Sequence, residues 1–229
     1  MTVILLRHGR STANTAHTLA GRAEGVDLDE HGLAQAAGVV DRLAGLPVEA
    51  LVRSPLLRCA RTLEPLAAAL GLTPQVEDRL AEVDYGDWTG RGIGELVSEP
   101  LWAVVQQQPS AAVFPGGESL AAVQTRAVAA VRQHDARLSG AAGRDVLWVA
   151  CTHGDVIKSV LADALGTHLD SFQRIVADPA SMSVVRYTPH RPFVVHINHT
   201  GPALAGALSR PPQAPPAPDG DAVVGGGAG

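Results

Sequence analysis

The stretch VLWVACTHG, residues 146–154, decides the fold. Its first five residues form an apolar run with β-branched side chains, which is typical of a buried strand. A histidine and a glycine come shortly after the run, and apolar residues at helical spacing continue to Leu165. The chain opens with the same arrangement, because TVILLR at residues 2–7 precedes His8 and Gly9. The sequence therefore predicts two buried strands that each end in a histidine.

Predicted strands and helices alternate along the rest of the chain. Gly and Pro interrupt residues 85–117, which are expected to form loops and short helices. This alternation predicts an α/β fold, a three-layer α/β/α sandwich with a mainly parallel central sheet. Further strands are predicted at 50–52, 182–187 and 193–197, and helices at 29–43, 56–70, 118–138 and 154–165. In the first helix, Asp29 is the expected N-cap, and the expected apolar face consists of Leu33, Ala36, Ala37, Val40 and Leu43.

Length and composition set the organisation and exclude several classes of protein. The 229 residues suffice for one large domain, expected at 1–209, and the Pro-, Gly- and Ala-rich stretch 210–229 is expected to be a disordered tail. Lys+Arg total 18 and Asp+Glu 23, so the net charge of −5 argues against a nucleic-acid partner. The first apolar run is too short for a signal peptide or a membrane span. Two cysteines, Cys59 and Cys151, exclude a disulfide framework and indicate a reducing compartment, so a cytoplasmic protein without a membrane partner is expected.

Arginines and histidines gather where the predicted strands end. Arg7 and His8 follow the first strand, Arg58 lies near the start of a helix, and His153 follows the strand quoted above. In open α/β sheets, ligands bind beyond the carboxyl ends of the strands. Guanidinium groups and the free N–H groups of helix N-termini both favour phosphate. The residues alone therefore predict an anion site with two histidines and two arginines.

Four motifs follow one another along the chain, from residue 3 to about residue 199. They are Arg7-His8-Gly9 with Asn14, Ser54-x-Leu56-x-Arg58-x-x-x-Thr62, Leu80-x-Glu82-x-x-x-Gly86-x-Trp88-x-Gly90, and Thr152-His153-Gly154. Each motif is weak alone, but in this order and at strand ends they resemble the histidine phosphatase superfamily, also called the phosphoglycerate mutase-like family. The resemblance covers all of the chain except the tail, and it implies that family's fold and a phosphoryl-transfer activity.

The resemblance implies a role for each matching residue. His8 would be the nucleophile that takes the phosphoryl group on a ring nitrogen. Glu82 would protonate the leaving oxygen and then activate water, while Asp84 and Asp87 stay open as alternatives. This role implies a raised pKa of Glu82 and a mildly acidic pH optimum, and no metal or cofactor is required. The residues implied to bind the phosphoryl oxygens are Arg7, Asn14, Gly21, Arg58 and His153.

Several activities remain open within the family. A mutase must hold an intermediate whose carboxylate and second phosphate need extra cations, but Arg91 is the only basic residue between Glu82 and Arg126. A phosphatase that acts on a phosphorylated small molecule is therefore favoured over phosphoglycerate mutase-type transfer. A phosphohistidine protein phosphatase and a regulatory binding module stay as alternatives, and a homodimer stays open.

Other phosphate chemistries lack the residues that they need. A cysteine-dependent phosphatase has an arginine six positions after the cysteine, where this chain has Pro65 and Ile157. The sequence also contains no Gly-x-x-x-x-Gly-Lys loop. His196 and His199 are expected on opposite faces of a strand, so they are not predicted to bind a metal.

Overall fold

The computed structural model describes residues 1–201 and residue 204, and a six-stranded sheet lies at its centre. The strands are β1 (Thr2–Arg7), β2 (Val48–Arg53), β3 (Gln75–Val76), β4 (Leu147–Thr152), β5 (Met182–Tyr187) and β6 (Pro192–His199). Their order across the sheet is β3-β2-β4-β1-β5-β6. The pairs from β3 to β1 are parallel, whereas β5 and β6 are antiparallel to their neighbours. The predicted mainly parallel sheet is confirmed, and only the two-residue, exposed β3 lacks a signal in the sequence.

The helices follow the predicted order. They are α1 (Thr12–Thr15), α2 (Glu30–Arg42), α3 (Leu57–Leu70), α4 (Ile93–Leu96), α5 (Pro100–Gln107), α6 (Leu120–Ala142) and α7 (Gly154–Ala164). Asp29 caps α2 as predicted, and Gly71 ends α3 in a left-handed conformation with φ of 65°. Short helices and 3-10 turns occupy residues 85–117, as the interrupted pattern predicts.

Helices cover both faces of the sheet because side chains along each central strand alternate between the faces. In β1, Val3 and Leu5 pack with α6 and α7, whereas Ile4 and Leu6 pack with α2 and α3. All four side chains are fully buried. Burial of a large aliphatic side chain stabilises a fold by about 1.5–3 kcal/mol. The three predicted layers are therefore confirmed.

Helix α2 is rotated relative to the predicted apolar face. Leu33 is 51% exposed and Ala37 is also exposed, whereas Gly32 and Val39 are buried. The rotation brings Gly32 against the loop after β1, where a Cβ on Gly32 would collide with the carbonyl oxygen of Arg10. The prediction for Leu33 and Ala37 was wrong because helical spacing is compatible with more than one buried face, and the face that carries Gly32 is the one that packs closely against this loop.

The prediction that His196 and His199 lie on opposite faces of a strand was also wrong. The register of β6 against β5 shifts at this point, and Asn198 has a left-handed φ of 55°. The shift turns the two side chains towards each other, and their ring centroids lie 5.9 Å apart.

Two further points concern the C-terminal segment and membrane-spanning helices. The disordered tail expected at 210–229 and the domain end expected at 209 lie outside the described residues. Among the residues that the structure describes, no helix combines the length and the apolar character needed to cross a bilayer.

The contact of α2 with the loop after β1 predicts different effects for two glycines of that helix. Gly32→Ala should lower the free energy of unfolding by about 1–3 kcal/mol, because the new methyl group overlaps the Arg10 carbonyl. Gly38 is the matched control, since nothing lies within 4 Å of a Cβ built there. Gly38→Ala should raise the free energy of unfolding by about 0.5–1 kcal/mol. Urea unfolding measures both changes, and equal effects would contradict the close contact.

Candidate active site

The predicted site residues meet at the carboxyl ends of β1, β2 and β4. Arg7 pairs with Thr152 across the parallel ladder, so the next residues, His8 and His153, emerge side by side. Their ring centroids lie 5.2 Å apart. Arg58, in the first turn of α3 after β2, joins them. These residues surround or support one cavity of about 430 Å³, a size that suits a small molecule.

His8 is held as a neutral imidazole. Its Nδ1 lies 2.7 Å from the carbonyl oxygen of Gly9, which can only accept, so Nδ1 carries the proton and Nε2 keeps a lone pair. The N–H of Gly9 donates to Thr62 Oγ1 at 2.9 Å, which ties this loop to α3. Burial, and then the charges of Arg58 and Arg7, hold the pKa of His8 well below its usual 6.5. Nε2 is therefore available as a nucleophile at neutral pH.

Three buried donors around His8 lack a partner among the described residues. They are Nε of Arg7, Nη1 of Arg58 and Nδ1 of His153. Other bonds fix both guanidinium groups, since Arg7 Nη1 donates to Ala177 O at 2.6 Å and Arg58 Nη2 donates to Gly21 O at 2.8 Å. An unsatisfied buried donor costs about 1–3 kcal/mol. An anion that accepts all three hydrogen bonds would offset this cost, as expected for a phosphate site.

Ser54 orients the second histidine. Its hydroxyl accepts from the N–H of Leu56 at 3.3 Å and lies 2.7 Å from Nε2 of His153, to which it can donate. With Ser54 as the donor to Nε2, Nδ1 of His153 carries the ring proton, 4.0 Å from Oε2 of Glu82. Burial and the charge of Arg58 hold the pKa of His153 well below 6.5, so this ring is also a neutral donor.

Of the three carboxyl groups that the sequence leaves open as the acid, Glu82 lines the cavity. Asp84 lies outside the cavity and accepts from the N–H of Gly86, and the side chain of Asp87 is exposed. Burial, and then the charge of Asp155, raise the pKa of Glu82 to about 7, against an opposing effect of Arg58. Glu82 can therefore hold or release a proton near neutral pH.

A clamp formed by Arg126 and Glu118 holds the loop that carries Glu82. Arg126, on α6, donates from Nη1 to the carbonyls of Arg79 (2.6 Å) and Ala81 (2.8 Å), and from Nη2 to that of Glu82 (3.2 Å). Its Nη2 and Nε also donate to the two oxygens of Glu118, at 2.6 and 3.0 Å. Sequence analysis missed this clamp because its partners are mostly backbone carbonyls, which leave no residue pattern.

Tyr85 and Asp155 are further cavity residues that sequence analysis missed. The hydroxyl of Tyr85 donates to Oδ2 of Asp155 at 2.8 Å, and both side chains line the cavity. The position of Asp155 directly after Thr152-His153-Gly154, in the first turn of a predicted helix, is a signal that could have identified it.

Asn14 and Gly21 take different places at the cavity. Asn14 lines it, and Oδ1 of Asn14 accepts from the N–H and the hydroxyl of Ser11 at 3.0 and 2.9 Å. Its side-chain NH₂ is the group left for a ligand. Gly21 binds Arg58 through its carbonyl, and Ala20 lines the cavity beside it. The backbone-amide role expected of Gly21 stays a prediction.

Comparison with known proteins agrees with this geometry. Residues 3–200 match the histidine phosphatase superfamily (branch 1), and the chain belongs to this family. Phosphoserine phosphatase 1 of Hydrogenobacter thermophilus is 29% identical over 206 residues, which cover 86% of this chain and 92% of that protein. Other relatives are named as probable phosphoglycerate mutases.

Two further likenesses concern chain length and fold. The bifunctional protein Rv2228c of Mycobacterium tuberculosis is 33% identical over 204 residues, or 87% of this chain, but the match spans about half of that longer protein (54%). The solved structure of a mycobacterial glucosyl-3-phosphoglycerate phosphatase, Rv2419c, superposes with a TM-score of 0.77 at 24% identity. It covers 86% of this chain and 98% of its own, which confirms the fold.

The buried Glu82 predicts that stability depends on pH. Because its pKa of about 7 in the folded state exceeds the usual 4.5, its contribution to stability is complete below about pH 4.5 and is lost as the pH rises through 7. Glu82→Gln has no such charge, so the wild type should lose on the order of 2–3 kcal/mol relative to this variant across that interval.

Urea unfolding at several pH values measures the difference. Glu64→Gln removes one negative charge from an exposed side chain of α3 and is the control. A constant difference between wild type and Glu82→Gln from pH 4.5 to 8 would contradict a buried, proton-holding Glu82.

Proposed function

We propose that this chain hydrolyses phosphomonoesters through a phosphohistidine on Nε2 of His8, with Glu82 as general acid and base and without a metal ion. One observation carries the proposal. A neutral imidazole, a carboxyl group with a pKa of about 7 and two arginines line one cavity, and three buried donors of Arg7, Arg58 and the adjoining His153 have no partner among the described residues. The relative named phosphoserine phosphatase 1 supports a hydrolase.

In the first step, Nε2 of His8 attacks phosphorus and the bond from phosphorus to the ester oxygen breaks. The leaving oxygen takes the proton of Glu82, which becomes a carboxylate. Arg7, Arg58 and His153 donate to the three non-bridging oxygens, and their fixed orientation favours the charge distribution of the transition state.

In the second step, a water molecule attacks the phosphohistidine. The Glu82 carboxylate takes a proton from the water, the bond between phosphorus and Nε2 breaks, and the lone pair returns to His8. Inorganic phosphate leaves, and the neutral carboxyl of Glu82 is restored. The Arg126–Glu118 clamp holds the backbone at Glu82, which favours one position of the carboxyl group in both steps.

Besides Arg7 and Arg58, Lys158 is the one Lys or Arg side chain of the described residues that lines the cavity, whereas a bisphosphate intermediate brings both a carboxylate and a second phosphate. Arg91 is the only basic residue between Glu82 and Arg126. It pairs with Glu99 at 2.7 Å and does not line the cavity. This placement supports hydrolysis over mutase-type transfer. In the described part of the chain, no three His, Cys, Asp or Glu side chains are grouped to hold a metal ion.

His8→Ala should lower phosphate release from p-nitrophenyl phosphate in EDTA by at least about three orders of magnitude, because the covalent step is lost. Wild type quenched in base during turnover should carry a phosphate on His8, detected by mass spectrometry. His31→Ala, which removes an exposed histidine of α2, is the control. Phosphate release that survives His8→Ala, or that EDTA abolishes and a divalent ion restores, would refute the mechanism.

The pH dependence of kcat/KM should follow Glu82 on its alkaline side. The first step needs the neutral carboxyl, so kcat/KM for an alkyl phosphate should fall as the pH rises above about 7. The acidic limb should lie well below pH 6.5, because the pKa of His8 is lowered. Glu82→Gln should slow an alkyl phosphate far more than p-nitrophenyl phosphate, whose phenolate needs little protonation. Equal losses for both esters would reassign the acid.

A further inference from the structure

Lys158 lines the cavity but has no role in the proposed reaction. It is the only lysine of the chain and lies on α7, one turn beyond Asp155. Its half-buried side chain lines the same cavity as His8. The first residue of α7, Gly154, lies against the Arg7 guanidinium. Four residues of helix rise about 6 Å, so Lys158 stands about one helical turn from the phosphoryl end of the cavity.

The ammonium of Lys158 is held in place by its neighbours. Nζ donates to Oε1 of Gln173 at 3.1 Å, lies 3.5 Å from Oδ1 of Asp155, and stands 5.0 Å from the centre of the Phe172 ring. Gln173 is itself fixed, because its Nε2 donates to the carbonyl of Val105 at 3.2 Å. Among the described residues, these acceptors engage at most two of the three N–H groups. One donor of a positioned cation is therefore left for a ligand.

The other charges of the cavity are already engaged. Arg7 and Arg58 serve the phosphoryl oxygens in the proposed reaction. Asp155 accepts from the Tyr85 hydroxyl at 2.8 Å, and Asp178, at the same cavity, accepts from Nδ2 of Asn198 at 2.7 Å. Lys158 is therefore the cation of the cavity that can meet a second charge on the substrate.

We propose that Lys158, oriented by Gln173, forms a subsite for a carboxylate on the substrate, so that the chain prefers phosphomonoesters carrying a carboxylate two or three bonds from the ester carbon. The subsite rests on the proposed phosphatase function. A carboxylate fits the donor because it is planar, carries one charge and accepts from an ammonium at short distance. An uncharged hydroxymethyl group at the same position would leave the ammonium with only its protein partners.

Two esters that differ only at this group test the subsite. 3-Phosphoglycerate has a carboxylate where glycerol 3-phosphate, in the matching enantiomer, has a hydroxymethyl group. Wild type should favour 3-phosphoglycerate in kcat/KM by about 10- to 100-fold, as expected for a hydrogen bond to a charged group. Lys158→Met should bring the ratio of the two kcat/KM values near one, and Lys158→Arg should keep part of the preference.

Arg132→Met is the matched control for net charge. Arg132, on α6, pairs with Asp163 of α7 at 2.8 Å and lies outside the cavity, so this variant should keep the wild-type ratio. An unchanged ratio of the two kcat/KM values in Lys158→Met would overturn the subsite. A higher wild-type kcat/KM for phosphoethanolamine than for 3-phosphoglycerate would also overturn it, because phosphoethanolamine carries an ammonium instead of a carboxylate.

Binding separates failure of the subsite from failure of the proposed function. Calorimetry with His8→Ala, and with His8→Ala/Lys158→Met, compares the affinities for 3-phosphoglycerate and glycerol 3-phosphate without turnover. Tighter binding of 3-phosphoglycerate that depends on Lys158 supports the subsite even if no ester is hydrolysed, in which case the phosphatase proposal fails alone. Equal binding of the two esters overturns the subsite, whatever the wild type hydrolyses.

Discussion

The parallel pairing of β1 with β4 is the constraint on which the site depends. Arg7 lies opposite Thr152, and the N–H of His8 continues the ladder to the Thr152 carbonyl at 3.0 Å. Two imidazoles therefore emerge from neighbouring strand ends. A shift of β1 by one residue would turn Val3 and Leu5 to the opposite face of the sheet. The hydrophobic core thus maintains the register, and the register maintains the distance between the histidines.

Burial then favours the protonation states that the proposed phosphoryl transfer requires of His8 and Glu82. Removal of water lowers the pKa of His8 and raises that of Glu82, so that both are neutral over one range of pH. Arg7 and Arg58 lie beside them, and Nε of Arg7 and Nη1 of Arg58 have no hydrogen-bond partner among the described residues. A ligand that accepts from these donors stabilises the folded state by mass action, so anion binding and stability are coupled.

In the proposed function, the cavity joins two parts of the fold that act on different parts of a substrate. Strand ends and the first turn of α3 supply the end proposed to bind the phosphoryl group, where backbone bonds and the Arg126–Glu118 clamp fix the surrounding loops. Helix α7 begins beside Arg7 and carries Lys158 one turn further, towards the part of a substrate that varies between esters. The reaction and the choice of ester can therefore depend on separate residues.

The sequence by itself determined the layers, the order of most elements and the group of residues at the strand ends. Apolar runs, helical periodicity and short motifs are local, and each strand-end histidine adjoins the strand that positions it. Only the tertiary structure decided which of three carboxyl groups enters the cavity, which face of α2 is buried, and how His196 and His199 approach each other. It also assembled the Arg126 clamp and placed Tyr85 and Asp155. These features depend on contacts between distant segments, with backbone carbonyls and bulges among the partners, and such contacts leave no periodic pattern in the chain.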